Sequence, residues 1–570
     1  MPEMHLLPGY SAATHEVTNQ VPALVDTNIY LSDRFLRDGV ARYDGSWGDE
    51  RLTAFGARLG SSTVLQWADQ ANRFDPELKT HDRTGHRIDE VEFHPAWHEL
   101  MALSTEFGVH NLPWSEERPG AHVVRAAMMF MAYQTEAGHC CPISMTYSAV
   151  PALRKQPDLA EIWEPRILQR AYDGRLMEAG LKPGVIFGMA MTEKQGGSDV
   201  RANSTVAVPL SGGGPGKEYL ITGHKWFCSA PMSDAFLVLA QIDGQPSCFL
   251  VPRILPDGSR NVFQIQRLKE KLGNRSNASS EIEFRNTIGY LVGGVGRGVP
   301  TIIEMVNHTR LDCAIGSASL MRQSLVQAMH HGRHRSAFGK SLKDQPLMRS
   351  VFADLAVEAE AAQLLMLRLA HSYDNPKADD GEDAFRRITS AVSKYWLCKR
   401  ATPFVGEALE CLGGNGYVEE SVMPRLFRES PLNSIWEGAG NVICLDVMRA
   451  LVKEPQSIAA IESELHTTLG ESPRYDRYAR AAIKALHDSR ARLSSGRASS
   501  KLKAELEARA NVERVAISLM ASLMIRYSSP EAAEAYISSR LGRSHGYMFG
   551  TMKVASRKID AILERYLETV

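Results

Sequence analysis

Disulfide frameworks and zinc ribbons are the first classes that this sequence excludes. Its eight cysteines (Cys140, Cys141, Cys228, Cys248, Cys313, Cys398, Cys411, Cys444) are scattered over 570 residues and form no Cys-x-x-Cys. The one adjacent pair, Cys140 and Cys141, cannot close an ordinary structural disulfide. Such usage points to a reducing compartment. No uncharged apolar stretch approaches the roughly 20 residues that a bilayer requires. The segment Met1 to Tyr10 also lacks a basic stretch followed by an apolar run. A cytoplasmic protein with no membrane partner is the expectation. Net charge is nearly absent, with 65 Lys plus Arg against 66 Asp plus Glu, so any attraction to nucleic acid has to be local. No Gly-x-Gly-x-x-Gly opens a helix behind a strand, which argues against a Rossmann dinucleotide fold.

What is present is an ordinary globular composition, 44% hydrophobic and 23% charged, on a chain too long for one core. Apolar residues recur at helical spacing from about 90 to 180, as in Val123, Val124, Ala127, Met128, Met131 and Ala132. From about 185 to 295 the texture changes to short β-rich runs, Glu218 to Thr222, Ala235 to Gln241 and Cys248 to Val251, separated by Gly, Pro, Asp and Asn. Long helical patterns return after about 297, clearest around Leu364, Leu365, Leu367 and Leu369, and end at Lys453-Glu454-Pro455. A further helical region runs to Val570, its last helix amphipathic through Met552, Ile559, Ile562, Leu563 and Tyr566. The expected units are a helical domain over 1–184, a β domain over 185–296, a helical bundle over 297–452 and an added helical domain over 453–570.

Three stretches carry chemistry. Ala190-Met191-Thr192-Glu193-Lys194-Gln195-Gly196-Gly197-Ser198-Asp199 breaks from a strand-like run into a turn between two hydroxyls. Adjacent glycines let backbone amides approach an anion, although Gly-Gly-Ser-Asp is also common turn chemistry. Glu410 to Tyr417 holds Gly413, Gly414 and Gly416, which remove side chains where a flat ring or another subunit comes close, or simply cap a helix. Trp436-Glu437-Gly438 places a carboxylate beside an aromatic ring, a candidate base or a helix-start acid. His330 and His334 stand four apart, yet no Glu or Asp completes a metal set, so no metal is expected.

Together these stretches resemble the signatures of the acyl-CoA dehydrogenase family. That resemblance implies an α+β fold of N-terminal helical domain, central β domain and C-terminal four-helix bundle, here with an extra C-terminal helical domain. It implies FAD held by Met191, Thr192, Gly197 and Ser198, by Phe227 and Ser229 of Gly223-His-Lys-Trp-Phe-Cys-Ser229, and by Trp436, Gly438 and Asn441. Arg335, Phe338 and Gln345 match positions used across a dimer interface on the partner's FAD, and Gly413 and Gly414 fall in the family's second signature among the cofactor-binding positions. Glu437 matches the α-proton base, and Arg310 a substrate-binding arginine. The alternative glutamate of the isovaleryl-CoA dehydrogenases is replaced by Thr309. Ala439 and Asn441 depart from the family's Thr and Gln, a loss of about one hydrogen bond, on the order of 1 kcal/mol.

The wording of 190–199, Lys271 to Ser279 and Asn433 to Gly438 is similar to a bacterial branch of that family, flavoproteins of the response to DNA alkylation. This closer likeness runs from about Thr27 to Met448. It implies a homotetramer, residual activity on isovaleryl-CoA and double-stranded DNA binding by the C-terminal domain. In that domain Arg474, Arg477, Arg480 and Lys484 share one helix face opposite Tyr475, Tyr478, Ala482, Ile483 and Leu486, and Arg490, Arg492, Arg497, Lys501 and Lys503 continue the positive run. A solvated helix face accounts for the same pattern. The remaining readings are a catabolic acyl-CoA dehydrogenase without a DNA role and a catalytically idle flavoprotein that shields DNA.

Overall fold

The computed structural model describes residues 14–374, 380–542 and 546–567. The segment Met1 to Tyr10 and the last residues to Val570 lie outside them. Helices α1 (Arg34–Arg42), α2 (Asp49–Leu59) and α3 (Ser62–Arg73) lead to a hairpin of β1 (Glu77–His81) and β2 (Arg87–Glu92). Then follow α4 (Pro95–Phe107), α5 (Leu112–Ser115), α6 (Ala121–Thr135), α7 (Cys140–Leu153) and α8 (Pro157–Ile167). Pro95 opens α4, where its missing N–H costs nothing, and Gly108 at φ +81 closes it. The hairpin is a correction to the expectation of helices alone. Its strands are half exposed and lack apolar alternation, and they are fixed from outside: Asp89 Oδ1 accepts the Ile265 amide at 3.0 Å and Arg253 donates to the Asp89 carbonyl at 2.7 Å.

The β domain comprises β3 (Phe187–Ala190), β4 (Val206–Pro209), β5 (Glu218–Ser229), β6 (Ala235–Ile242), β7 (Gln245–Pro252), β8 (Phe263–Leu268) and β9 (Ser279–Val292). The order β6-β4-β5-β9-β7 returns to β6 and closes a barrel, with β3 parallel on β6 and β8 on β9. β6 is buried along its whole length, which is why it runs apolar from Ala235 to Ala240 rather than alternating.

In the bundle, α9 (Gly298–His334) runs past two short strands, β10 (Ser336–Ala337) and β11 (Lys340–Ser341), to α10 (Pro346–His371) and α11 (Asp380–Glu410), and then α12 (Gly414–Tyr417), α13 (Met423–Glu429) and α14 (Gly440–Lys453) complete it. α9 and α11 lie side by side in one direction: Tyr373 Oη donates to the Asn307 carbonyl at 2.9 Å and lies 3.0 Å from Ser390 Oγ, and further along Ser317 Oγ meets Cys398 Sγ at 3.2 Å. α10 returns antiparallel, with Gly332 against the Phe352 ring. α10 is buried from Phe352 to Ala370 on every face, because α17 to α19 cover the side that the bundle leaves open. That is why Leu364, Leu365, Leu367 and Leu369 fit no single stripe.

The last region is helical: α15 (Gln456–His466), α16 (Pro473–Ser494), α17 (Ala498–Tyr527), α18 (Pro530–Arg540) and α19 (Ser556–Leu567). Ser472 and Ser529 cap α16 and α18, each followed by a proline at the first helical position. Ile562, Leu563 and Tyr566 form the buried stripe of α19, while Met552 precedes that helix and packs from the loop. The region is tied to α10 by buried ion pairs: Arg540 with Asp354 (2.6 Å) and Glu358 (2.7 Å), and Arg565 with Glu360 (2.7 Å). Among the described residues no helix is long and apolar enough to cross a membrane.

Candidate functional site

The Met-Thr-Glu loop lies along β5. Thr192 accepts the Trp226 amide at 2.8 Å and the Lys194 amide donates to His224 Nε2 at 3.1 Å. Glu193, inside the motif, is fully buried and pairs at 2.8 Å with Lys225, equally buried. It also accepts the amides of Ser204 (2.7 Å) and Thr205 (3.1 Å). Burial works to raise its carboxyl, but Lys225 and these donors hold it well below the usual carboxylate range. Sequence reading passed over both residues, although opposite charges inside two separate motifs were a usable signal. Anchored there, the loop turns out toward solvent through Gly196 (φ +141), where a Cβ would meet nothing within 4 Å. Gly197 folds back on Thr192, and Ser198 is exposed. Met191 is half-buried. Phe227, next to buried Cys228, turns outward and is 51% exposed, and Ser229 shares a 3.1 Å hydrogen bond with Ser279.

Glu437 stands at the other wall. Cys141 links the two: burial pushes its thiol up to about 12, the Glu437 charge adds to this, and Asn277 and Ser229 oppose it. Trp436 and Met191 pack on the apolar cluster that contains Cys141 and Met145. Glu437 adopts φ +57 and Gly438 φ +106, and the left-handed conformation of a non-glycine residue costs roughly 1–2 kcal/mol. Two buried cations meet the consecutive carbonyls of this turn. Arg310 donates through Nε to Glu437 O at 3.2 Å, and Lys394 donates to Gly438 O. Arg310 is also held by Asp446 at 2.8 Å, so its guanidinium is engaged within the protein and steadies the turn. Glu437 Oε2 is shut off from solvent with no hydrogen-bond partner among the described residues. Burial pushes the carboxyl up, against the Thr309 hydroxyl, Arg310 and Lys394, which pull it down. A carboxyl so placed can take a proton from a weakly acidic group in a dry site. Asn441, in the first turn of α14, is exposed.

The other expected cofactor residues are not beside Glu437. Arg335 lies at the far end of α9 from Arg310, roughly 37 Å away at 1.5 Å per residue. Phe338, at φ +53, is 98% exposed, and Gln345 donates to the Ala337 carbonyl at 2.8 Å, bracing that turn. Arg335 itself donates to the Asn19 carbonyl. Because α9 and α11 run the same way, Gly413 and Gly414 emerge at this end too, both facing open space. The chain therefore presents two separate groups of site residues.

Of the basic face on α16, Arg477 and Arg480 are exposed, but Arg474 is half-buried against the Ser538 carbonyl and Lys484 pairs with Asp488 at 2.7 Å. His330 and His334 bond to backbone carbonyls, and no group of metal-ligating side chains occurs among the described residues. Ser104, His139 and Glu136 line up at 2.9 and 2.8 Å like a hydrolase triad, yet all three are sealed in the interior and Ser104 is inaccessible to a substrate.

A helical, β and helical succession defines the class of fold, and the matches agree. Residues 188–287 match the middle domain of acyl-CoA dehydrogenases and 296–452 their C-terminal domain. The chain belongs to the acyl-CoA dehydrogenase family. Within it, residues 19–174 match the N-terminal domain of the adaptive response protein AidB. The AidB protein of Escherichia coli (strain K12) is 46% identical over 475 residues, 83% of this chain and 86% of that protein. The crystal structure of Caenorhabditis elegans ACDH-11 in complex with C11-CoA superposes with a TM-score of 0.83 at 26% identity, covering 99% of each chain. An acyl-CoA dehydrogenase from Bacillus anthracis, solved with FAD, shares the fold at a TM-score of 0.62 and 17% identity over 83% of each chain.

Proposed function

We propose that the chain is an FAD-dependent acyl-CoA dehydrogenase whose base is Glu437, that it acts as a cytoplasmic homotetramer, and that its C-terminal helices hold double-stranded DNA in the response to alkylation damage. The observation that carries the reading is the half-buried Glu437, its Oε2 shut off from solvent and unpartnered among the described residues, on a strained turn held by Arg310 and Lys394. When bound, FAD supplies the hydride acceptor. The residues fit it: Met191, Thr192, Gly197 and Ser198 offer amides and hydroxyls, Phe227 an exposed flat ring and Ser229 a hydroxyl on one wall, with Trp436, Gly438 and Asn441 on the Glu437 side. Arg335, Phe338, Gln345, Gly413 and Gly414 serve a second copy's group, which accounts for a fully exposed Phe338 and two glycines facing empty space.

The proton leaves the α-carbon of the thioester for Glu437, and the buried surroundings exclude water that would protonate it first. A short branched thioester such as isovaleryl-CoA is the proposed substrate. Protein reconstituted with FAD is expected to be yellow and to bleach anaerobically with isovaleryl-CoA. A preparation that stays colourless, or a flavin that no short acyl-CoA reduces, removes the enzyme reading.

For DNA, the supporting observation is that Arg477, Arg480, Arg490 and Arg497 are exposed with no carboxylate within 4.0 Å among the described residues. Sequence-independent retention of duplex DNA at low salt, lost as salt rises, is the expected behaviour. No retention at low salt contradicts it.

A further inference from the structure

Lys394 is a buried cation that no carboxylate pairs within 4.0 Å among the described residues. It lies in the middle of α11 and is 1% exposed. Buried lysines are rare unless paired, because an ammonium taken from water loses its hydration. The contact shown for it is the hydrogen bond to the Gly438 carbonyl. Lys182 has Asp234 at 2.6 Å, Lys225 has Glu193 at 2.8 Å and Arg125 grips Asp312, whereas Arg253, also buried, donates to the Pro231 and Asp89 carbonyls.

We propose that Lys394 is a positioning residue for Glu437: its ammonium fixes the Glu437-Gly438 turn from below and supplies the positive charge against which the Glu437 carboxylate forms. This rests on the reading of Glu437 as the base. The geometry separates its part from that of Arg310. Arg310 divides its charge between the Glu437 carbonyl and Asp446, which Arg387 also contacts at 3.2 Å. Lys394 has no such competitor. The other groups that face Glu437 are the Thr309 hydroxyl and Cys313 of α9 and Cys141 of α7, and both thiols are pushed up by burial. Lys394 and Arg310 are thus the cations at the carboxyl, and the Lys394 charge also reaches Cys313 and Cys398. A neutral residue at 394 leaves burial less opposed, so the carboxyl holds its proton to higher pH.

The test is an infrared pH titration of the FAD-loaded protein, following the protonated-carboxyl stretch that disappears in Glu437→Gln. Lys394→Gln keeps a donor for Gly438 without the charge, and its titration midpoint is expected about one pH unit above the wild type, a tenfold change in the ionisation constant. Lys394→Arg keeps the charge and is expected to titrate as the wild type does. An unchanged midpoint in Lys394→Gln, or an equal shift in both variants, overturns the proposal. If Lys394→Gln does not fold, Lys394→Arg decides alone: a wild-type midpoint supports the proposal and a displaced one refutes it. The reading of the base is judged separately, by whether Glu437→Gln loses flavin bleaching.

Discussion

Two regions of this molecule bury charge for opposite ends. At the seam between α10 and the C-terminal helices every buried acid has its arginine: Asp354 and Glu358 with Arg540, Glu358 again with Arg400, Glu360 with Arg565, and Glu464 with Arg368 and Arg526. At Glu437 the opposite holds: a carboxyl oxygen has no partner and the nearby cations bind backbone carbonyls. Satisfied charges hold the C-terminal helices in one place, whereas unsatisfied ones leave a group ready to exchange a proton. The seam also bears on the proposed DNA contact, since it ties the C-terminal helical region, which carries the basic residues, to α10 through buried ion pairs.

The sharpest break in this comparison is Glu437→Gln. Turnover is expected to fall about a thousandfold, within the range of general-base effects, while the melting temperature is unchanged. A stopped-flow record of flavin bleaching beside a thermal melt checks both halves. The seam should answer in reverse. Arg540→Ala strands Asp354 and removes one of the two arginines on Glu358, at a cost of about 3–5 kcal/mol in unfolding free energy, with turnover by the folded fraction unaffected. Denaturant unfolding and specific activity at low temperature measure these separately.

Acid sharpens the contrast further. Burial acts to raise the Glu358 carboxyl, but Arg400 and Arg540 hold it down at about 2, below its ordinary 4.5. A carboxyl depressed in the folded state stabilises above its unfolded value and loses that contribution as pH falls through the folded one, here from about 4.5 to 2 and worth roughly 3 kcal/mol. Arg540→Ala should flatten this limb of the stability curve, and melts across that window show whether it does. The smallest effect belongs to the exposed face of α16. The double change Arg477→Ser and Arg480→Ser should lower the slope of log affinity against log salt for duplex DNA by about 2, with stability altered by less than about 0.5 kcal/mol.

The succession of helical, β and helical regions was legible because periodicity changes where burial changes: β6 is apolar from Ala235 to Ala240, and the long helices repeat their apolar residues. The β1–β2 hairpin was not, since its strands are half exposed and are fixed by Arg253 and Ile265, far away in sequence. Trp436-Glu437-Gly438 singled out Glu437 only through its resemblance to the family's signature, and its strain, its unpartnered oxygen and the approach of Lys394 come from elements that only the fold brings together. The basic face on α16 was half legible. Helical phase put Arg474 beside Arg477, yet α18 passes close enough for Ser538 to draw it inward, and Asp488 one turn on neutralises Lys484. The phase of a single helix carries no information about its neighbours.

The most direct measurement is solvent exchange at the substrate's α-carbon. In heavy water the FAD-loaded wild-type protein is expected to introduce deuterium at the α-position of isovaleryl-CoA, read by mass spectrometry, and Glu437→Gln is expected to bind the same thioester and introduce none. Deuterium appearing at equal rates with both proteins would contradict the assignment of Glu437 as the base.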